Sequence, residues 1–404
     1  MMVPKLRFAG FCDKWISSTL SDAGVQIIDG DRGSNYPSSG DFRPTGFCLF
    51  LNTGNVTRDG FRFDDVVFIT EKKDSELRKG KLQRRDIVLT TRGTIGNTAI
   101  YNNQVSFENV RINSGMVLVR TKQTLMPDFL YLYFNSGYFN SWLNKVAFGS
   151  AQPQLTVKII NALSIYFPGK SEQTKIADFL SSVDEKITLL TKQYNLLCQY
   201  KKCMMQKIFS REFRFKDENR EEFPEWEPKH LSEIAIVNPK NKAIPSKFIY
   251  IDLESVEKGK LLKEQLISKD DAPSRAQRLL THGDVLFQLV RPYQKNNYIF
   301  LLDGDYVAST GYAQLRAKYN SSFLYQLLHL ESFTYEVMNR CTGTSYPAIN
   351  SSDLASIEVE IPCEKEQTKI ANFLSALDDK IAVKKAELDK LKTWKQGLLQ
   401  QMFV

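Results

Sequence analysis

Histidine is scarce in this chain of 404 residues: His230, His282 and His329 are the only three, and they are scattered. That argues against a histidine-based triad or metal site. The six cysteines, at Cys12, Cys48, Cys198, Cys203, Cys341 and Cys363, form no Cys-x-x-Cys pair and no zinc spacing, and they read as free thiols. There is no phosphate-cradling loop of the Walker type. Asn238-Pro239-Lys240 begins like an amino-methyltransferase motif, but the second proline and the aromatic are missing. No nuclease-like Asp…Glu-x-Lys cluster stands out. No run of eighteen apolar residues and no leader-like opening occur, so we expect a cytoplasmic chain with no membrane partner. These absences point to a protein that binds and organises rather than catalyses, with no metal and no cofactor of its own. A net charge of +8 permits a polyanionic partner without demanding one.

The most informative feature present is a duplication. Glu172–Ile187 reads EQTKIADFLSSVDEKI and Glu366–Ile381 reads EQTKIANFLSALDDKI, identical at twelve of sixteen positions at an offset of 194 residues. The register extends outward through Gly149/Gly343, Pro153/Pro347, Pro168/Pro362, Lys201/Lys395, Gln206/Gln400 and Phe209/Phe403. Looser pairs lie upstream. Arg7-Phe8 and Arg214-Phe215 precede Trp15 with Leu20-Ser21-Asp22 and Trp226 with Leu231-Ser232-Glu233. Asp86–Leu89 ahead of Arg92 matches Asp284–Phe287 ahead of Arg291. Between these anchors the halves are dissimilar. Each half is a variable block of about 150 residues followed by a nearly fixed one, too long a period for a solenoid.

The fixed blocks predict two long amphipathic helices. Apolar residues fall at Ile176, Leu180, Val183, Ile187, Leu190, Tyr194, Leu197, Met204 and Ile208. In the second copy they fall at Ile370, Leu374, Leu377, Ile381, Leu388, Leu391, Leu398 and Met402, with Lys384 and Lys395 in the same frame. This heptad seam runs for about five heptads, interrupted at equivalent places by Lys201 and Lys395. Pro168 and Pro362 precede the helices, and Ser171 is the expected N-cap. A helix over 172–209 would be about 57 Å long at roughly 1.5 Å per residue. The other copy in the same chain is the simplest partner for each seam. The seam alone permits either a parallel or an antiparallel pairing, and packing of each helix on its own domain is the plainer alternative.

The variable blocks predict α/β modules with mostly antiparallel sheets. Strands are expected at Val66–Ile69, Asp86–Leu89, Gly115–Val119, Phe248–Ile251, Asp284–Phe287 and Tyr298–Leu302, and helical stretches at Asp128–Val146 and Ser322–Met338. A polar loop follows each stretch, Gly149–Pro153 and Thr342–Pro347. Arg92-Gly93-Thr94-Ile95-Gly96 reads as a tight turn, either one that lets backbone approach DNA or its own sheet or, the preferred reading, a purely structural one. Basic, amide and aromatic side chains collect in the loops, the types that contact phosphates and base edges. The candidates in the first block are Arg32, Asn35, Arg58, Lys72, Lys73, Arg78, Arg84, Arg92, Thr94 and Gln152. Those in the second are Lys240, Asn241, Lys242, Arg275, Arg278, Gln288, Arg291, Tyr293, Lys295, Thr344 and Tyr346.

The string Pro-x3-Glu-Gln-x-Lys-Ile-Ala-x-Phe-Leu-x3-Asp-x-Lys-Ile, present twice, resembles the conserved region of type I restriction–modification specificity subunits. The Trp…Leu-Ser-Asp/Glu opening, the Asp86–Gly96 stretch and the Gly149 and Gly343 loops resemble that family's target-recognition domains. The resemblance covers essentially the whole chain. It implies an α+β architecture in which two α/β recognition domains are separated by two helices, paired as an antiparallel coiled coil with a pseudo-two-fold internal repeat. The expected segments are a first recognition domain over 1–170, a central spacer helix over 171–212, a second recognition domain over 213–364 and a distal spacer helix over 365–404. By the same resemblance each domain reads one half of a bipartite site in double-stranded DNA, and the helix pair sets the gap. Two methyltransferase subunits and two motor–nuclease subunits are the expected partners. S-adenosylmethionine, ATP and Mg²⁺ are then held by those partners, and this chain is not itself an enzyme.

Overall fold

A computed structural model describes residues 3–147, 154–240 and 243–404. The chain divides into two compact units, one of residues 1–191 with 386–404 and one of residues 192–385. Each long helix is thus split between units, and each unit holds one variable block with half of each helix.

In the first unit four antiparallel strands stand in the order Gln26–Asp29, Met116–Arg120, Ile87–Thr90 and Thr98–Ile100. A second sheet orders Phe68–Ile69, Cys48–Leu51 and Val110–Ile112, the last pair running parallel. Ile16–Thr19 pairs antiparallel with Ser164–Phe167. The second unit has the same topology. Its first sheet is Ala235–Val237, Tyr312–Ala317, Asp284–Gln288 and Tyr298–Ile299. Its second is Gln265–Ser268, Lys247–Ile251, Tyr306–Ser309 and an added Ala276–Leu279, again with one parallel pair, Lys247–Ile251 on Tyr306–Ser309. Glu227–His230 pairs with Glu358–Ile361. Dissimilar sequences reach one topology because the interior strands keep the same pattern. Ile87–Thr90 and Asp284–Gln288 are buried at every position, as strands covered on both faces must be.

Several elements differ from expectation. The strand expected at Val66–Ile69 is paired only at Phe68–Ile69, and that at Tyr298–Leu302 only at Tyr298–Ile299. Each aromatic-rich stretch is two short helices, Pro127–Phe134 with Gly137–Ala147 and Ser321–Leu327 with Glu331–Asn339. Breaking the helix lets Phe129 and Phe139, and likewise Phe323 and Phe333, all reach their cores.

The central helix spans Lys170–Phe209 and the distal helix Glu364–Met402. Ser171 is not the N-cap. The helix starts one residue earlier, and the amides of Glu172 and Gln173 both donate to the Gly169 carbonyl at 3.1 Å. The Gln173 side chain folds back to the Pro168 carbonyl at 2.8 Å, and Gln367 does the same to Pro362 at 2.9 Å. Glu172 accepts from Arg7 Nε and Nη2 at 2.7 Å, while Glu366 accepts from Arg214 Nη2 at 2.9 Å and Trp226 Nε1 at 3.1 Å. The repeated Glu therefore anchors each helix start to the repeated Arg-Phe segment, and the repeated Gln ties it to the preceding proline.

Every seam position is buried or half-buried. In the first unit Ile176, Leu180 and Val183, early in the central helix, share a core with Leu398 and Met402, late in the distal helix. In the second unit the order reverses: Ile370, Leu374 and Leu377 share a core with Ile208, with Met204 packed against it. The two helices therefore run antiparallel. Each helix start also packs on its own block: Ile176 and Leu180 share the core of Phe129 and Tyr133, and Ile370 and Leu374 share that of Phe323 and Phe333. Each fully buried leucine contributes about 1.5–3 kcal/mol. No helix among the described residues is long and apolar enough to cross a membrane.

Candidate nucleic-acid interface

Each unit has one buried interior strand that starts at an acidic anchor and ends at an arginine. Asp86, 2% exposed, accepts from Arg120 Nε at 2.8 Å and Nη2 at 2.6 Å across the neighbouring strand. Asp284, fully buried, accepts from Arg316 Nε at 2.8 Å and from Gln314 Nε2 at 2.7 Å. Hydrogen bonds to these carboxylates hold Arg120 and Arg316 above their ordinary pKa against the opposing effect of burial. This cross-strand pair explains why Asp opens both Asp-Ile-Val-Leu and Asp-Val-Leu-Phe. The repeated Asp is legible in the sequence and its arginine partner is not, because that partner lies more than thirty residues away.

At the far end of the strand the chain turns to Arg92 or Arg291. In the first unit Thr91 and Arg92 both donate backbone N–H to Gly115 O, at 2.8 and 3.2 Å. Gly93 and Gly96 have φ of 70° and 92°, and a Cβ on Gly96 would lie 2.2 Å from Leu143 Cδ2. The Arg-Gly-Thr-Ile-Gly segment is thus a structural turn whose glycines are required. The exposed Arg92 guanidinium meets Gln154, whose amide oxygen in its satisfied orientation accepts from Nη2 at 2.9 Å and Nε at 3.2 Å. In the second unit Arg291 has φ of 54°, donates its backbone N–H to Pro347 O at 2.7 Å, and sets its guanidinium 4.3 Å from the Tyr346 ring centre. Corresponding backbone bonds tie the following loops to the strands, Leu155 N to Thr91 O at 3.2 Å and Ile349 N to Leu289 O at 3.1 Å.

The other candidates separate by what their side chains already do. Arg58, Lys72, Arg78, Thr94, Lys240, Arg275, Tyr293, Thr344 and Tyr346 are exposed. Arg32 is exposed and donates to Asp29 at 3.2 Å and Ser114 O at 3.3 Å. Asn35 donates to Glu76 O at 3.3 Å, and Lys73 pairs with Glu76 at 3.2 Å. Three candidates are committed to the fold. Arg84 donates to the carbonyls of Asn102 and Val105 and to Glu108, and stacks 4.3 Å over Tyr101. Gln288 is 3% exposed and donates to Val290 O and Gln294, so it is not a surface reader. Lys295 donates to His329 O at 3.0 Å and pairs with Glu331 at 3.1 Å. Polar residues on a strand end or beside a turn look alike in sequence whether they face solvent or brace the turn. Arg278 is half-buried with its Nε lacking a partner, and burial lowers its pKa. Gln152, Asn241 and Lys242 lie outside the described residues. Among the described residues no group of three His, Cys, Asp or Glu side chains could hold a metal ion.

The arrangement is a pair of topologically matched domains, each with an arginine-bearing loop at one strand end and each followed in sequence by a long helix. Comparison with known proteins agrees. The model of the type I restriction modification DNA specificity domain matches twice, over residues 14–199 and 224–393. The chain is 28% identical over 307 residues to the type I restriction enzyme MjaVIII specificity subunit of Methanocaldococcus jannaschii, covering 71% of this chain and 72% of that one. It is 24% identical to the EcoDI specificity subunit of Escherichia coli, covering 57% and 58%. A crystal structure of the type I restriction–modification S subunit from M. genitalium has the same fold, with a TM-score of 0.64 at 17% identity over 100% of this chain and 99% of that one. With both blocks matched, the chain belongs to the type I restriction–modification DNA specificity family, the recognition component of such systems and not their catalytic one.

Proposed function

We propose that each unit reads one half of a bipartite, asymmetric DNA site and that the helix pair sets the gap between the halves. The observation carrying this reading is one topology built twice with different side chains at the same strand end: Arg92 with Gln154 in one copy, Arg291 with Tyr346 in the other. Equal scaffolds with unequal contact chemistry suit two different half-sites. A helix of 40 residues is about 60 Å long, more than one DNA turn of roughly 34 Å. Two half-sites well over a turn apart are within its reach.

The helices also dock two methyltransferase subunits, with two motor–nuclease subunits joining for cleavage. Exposed positions repeat between the helices, where internal packing imposes nothing: Thr174 with Thr368, and Lys186 with Lys380. Exposed apolar residues repeat too, Leu189 at 62% with Val383 at 56%, and Tyr200 at 49% with Trp394 at 48%. Apolar side chains left in water at equivalent places suit two copies of one partner. S-adenosylmethionine, ATP and Mg²⁺ belong to those partners.

Exchange of residues 1–150 for those of a relative, followed by methylome sequencing, tests the division of labour. One half of the methylated sequence should change. If both halves change, or neither, the modular reading fails.

A further inference from the structure

Arg84, Arg92 and Arg291 each meet a side chain from a distant segment, and of these three Arg291 is left with its donors unspent. Arg84 lies 4.3 Å over Tyr101, but its Nη atoms are filled by two carbonyls and Glu108. Arg92 gives Nε and Nη2 to Gln154. Arg291 lies 4.3 Å over Tyr346, its Nε is buried without a partner, and its guanidinium makes no hydrogen bond or ion pair within the described residues. Its backbone is held left-handed, at φ 54°, a conformation that costs a non-glycine residue energy. The bond from its amide to Pro347 O at 2.7 Å maintains that conformation. Tyr346 itself is 65% exposed.

A cation that is half-buried, held against a ring and without a hydrogen-bond partner lacks a ligand that accepts hydrogen bonds. Contact with the ring restricts where the fork points, as bidentate hydrogen bonding to a pair of acceptors requires; on a phosphate such a pair carries no base identity. The planar acceptor pair on DNA is O6 and N7 of guanine in the major groove, whereas adenine presents a donor beside N7. We infer that Arg291, oriented by Tyr346, is a specificity-determining residue that reads a guanine in the half-site of the second unit. This rests on the proposed division of the target between the two units.

The test uses the complex assembled with its methyltransferase subunits, on the target identified by mapping methylated sites. Arg291→Lys keeps the charge and loses the fork. Discrimination for guanine at one position should fall about 10- to 100-fold, with the other half-site unchanged. Replacing that guanine by 7-deazaguanine should weaken the parent complex and leave the variant unaffected. A half-site without guanine overturns the assignment. So does a uniform loss of affinity on all sequences, the mark of a phosphate contact, and so does unchanged discrimination. If Arg291→Lys does not assemble, Tyr346→Leu keeps the arginine and removes its platform. Partial relaxation at the same position is then expected, and unchanged discrimination overturns the assignment. Altered readout in both half-sites would instead count against the division of the target itself.

Discussion

Lys201 holds its Nζ 2.6 and 2.7 Å from the two carboxylate oxygens of Asp378, and in the other unit Lys395 stands 2.5 Å from Asp184. These are the two lysines that interrupt the heptad seam at repeat-equivalent places. A lysine in an apolar seam weakens the pair, yet it specifies register when a carboxylate waits at one place on the facing helix. Both pairs are repeat-equivalent, so the antiparallel alignment satisfies both at once.

Asp378 also accepts from Gln326 Nε2 at 2.8 Å. Its side chain is 41% exposed and that of Lys201 17%, so solvent screening limits the ion pair itself to about 0.5–1 kcal/mol. Asp378→Ala should destabilise by about 1–2 kcal/mol, because it leaves Lys201 and Gln326 without their acceptor. Adding Lys201→Met should restore part of that loss. Urea unfolding of the two variants checks this, and a double variant weaker than the single one refutes the register role.

Burial along the seam is uneven, and stability should follow it. Leu374 is fully buried in the second unit's core, whereas Ile187 is half-buried. Leu374→Ala should cost about 2–5 kcal/mol, and Ile187→Ala appreciably less. Thermal unfolding of each variant measures the difference.

Asp74 joins Lys81 Nζ and Arg111 Nε, each at 2.5 Å, with its side chain 7% exposed. Burial pushes its carboxyl up, but the hydrogen bonds from Lys81 and Arg111 outweigh it and hold the group below its ordinary 3.8. A folded pKa below the unfolded one gives stability that is present above about pH 3.8 and lost as pH falls through the folded value. Asp74→Asn should lower stability at neutral pH by about 3 kcal/mol. It should also flatten the acid limb of a stability–pH curve. An unchanged acid limb would assign that limb to other carboxylates.

The gap between half-sites should follow helix length. One heptad added within Leu190–Gln206 should alter the spacing in the methylated sequence. Added to the central helix alone and ahead of Lys201, it puts the two Lys–Asp pairs out of step by about 10 Å at roughly 1.5 Å per residue. A matching heptad after Val383 should restore both pairs and give the more stable protein. Methylome sequencing reads the gap, and an unchanged gap in both variants would sink the ruler.

Sequence alone determined the duplication, the two helices and their seam, because a 3.5-residue apolar period survives in the primary structure wherever a helix buries one stripe. It also determined the interior strands at Ile87–Thr90 and Asp284–Gln288, whose apolar runs are local. The seam left the antiparallel orientation open and only the family resemblance implied it; the tertiary structure decided it, since either direction buries the same seam and the facing residues distinguish them, Leu398 beside Ile176 and Asp378 at Lys201. It also decided which polar side chains are free. Arg84, Arg92 and Arg291 are alike as letters, and their roles differ because Glu108, Gln154 and Tyr346 reach them through folding that brings distant segments together.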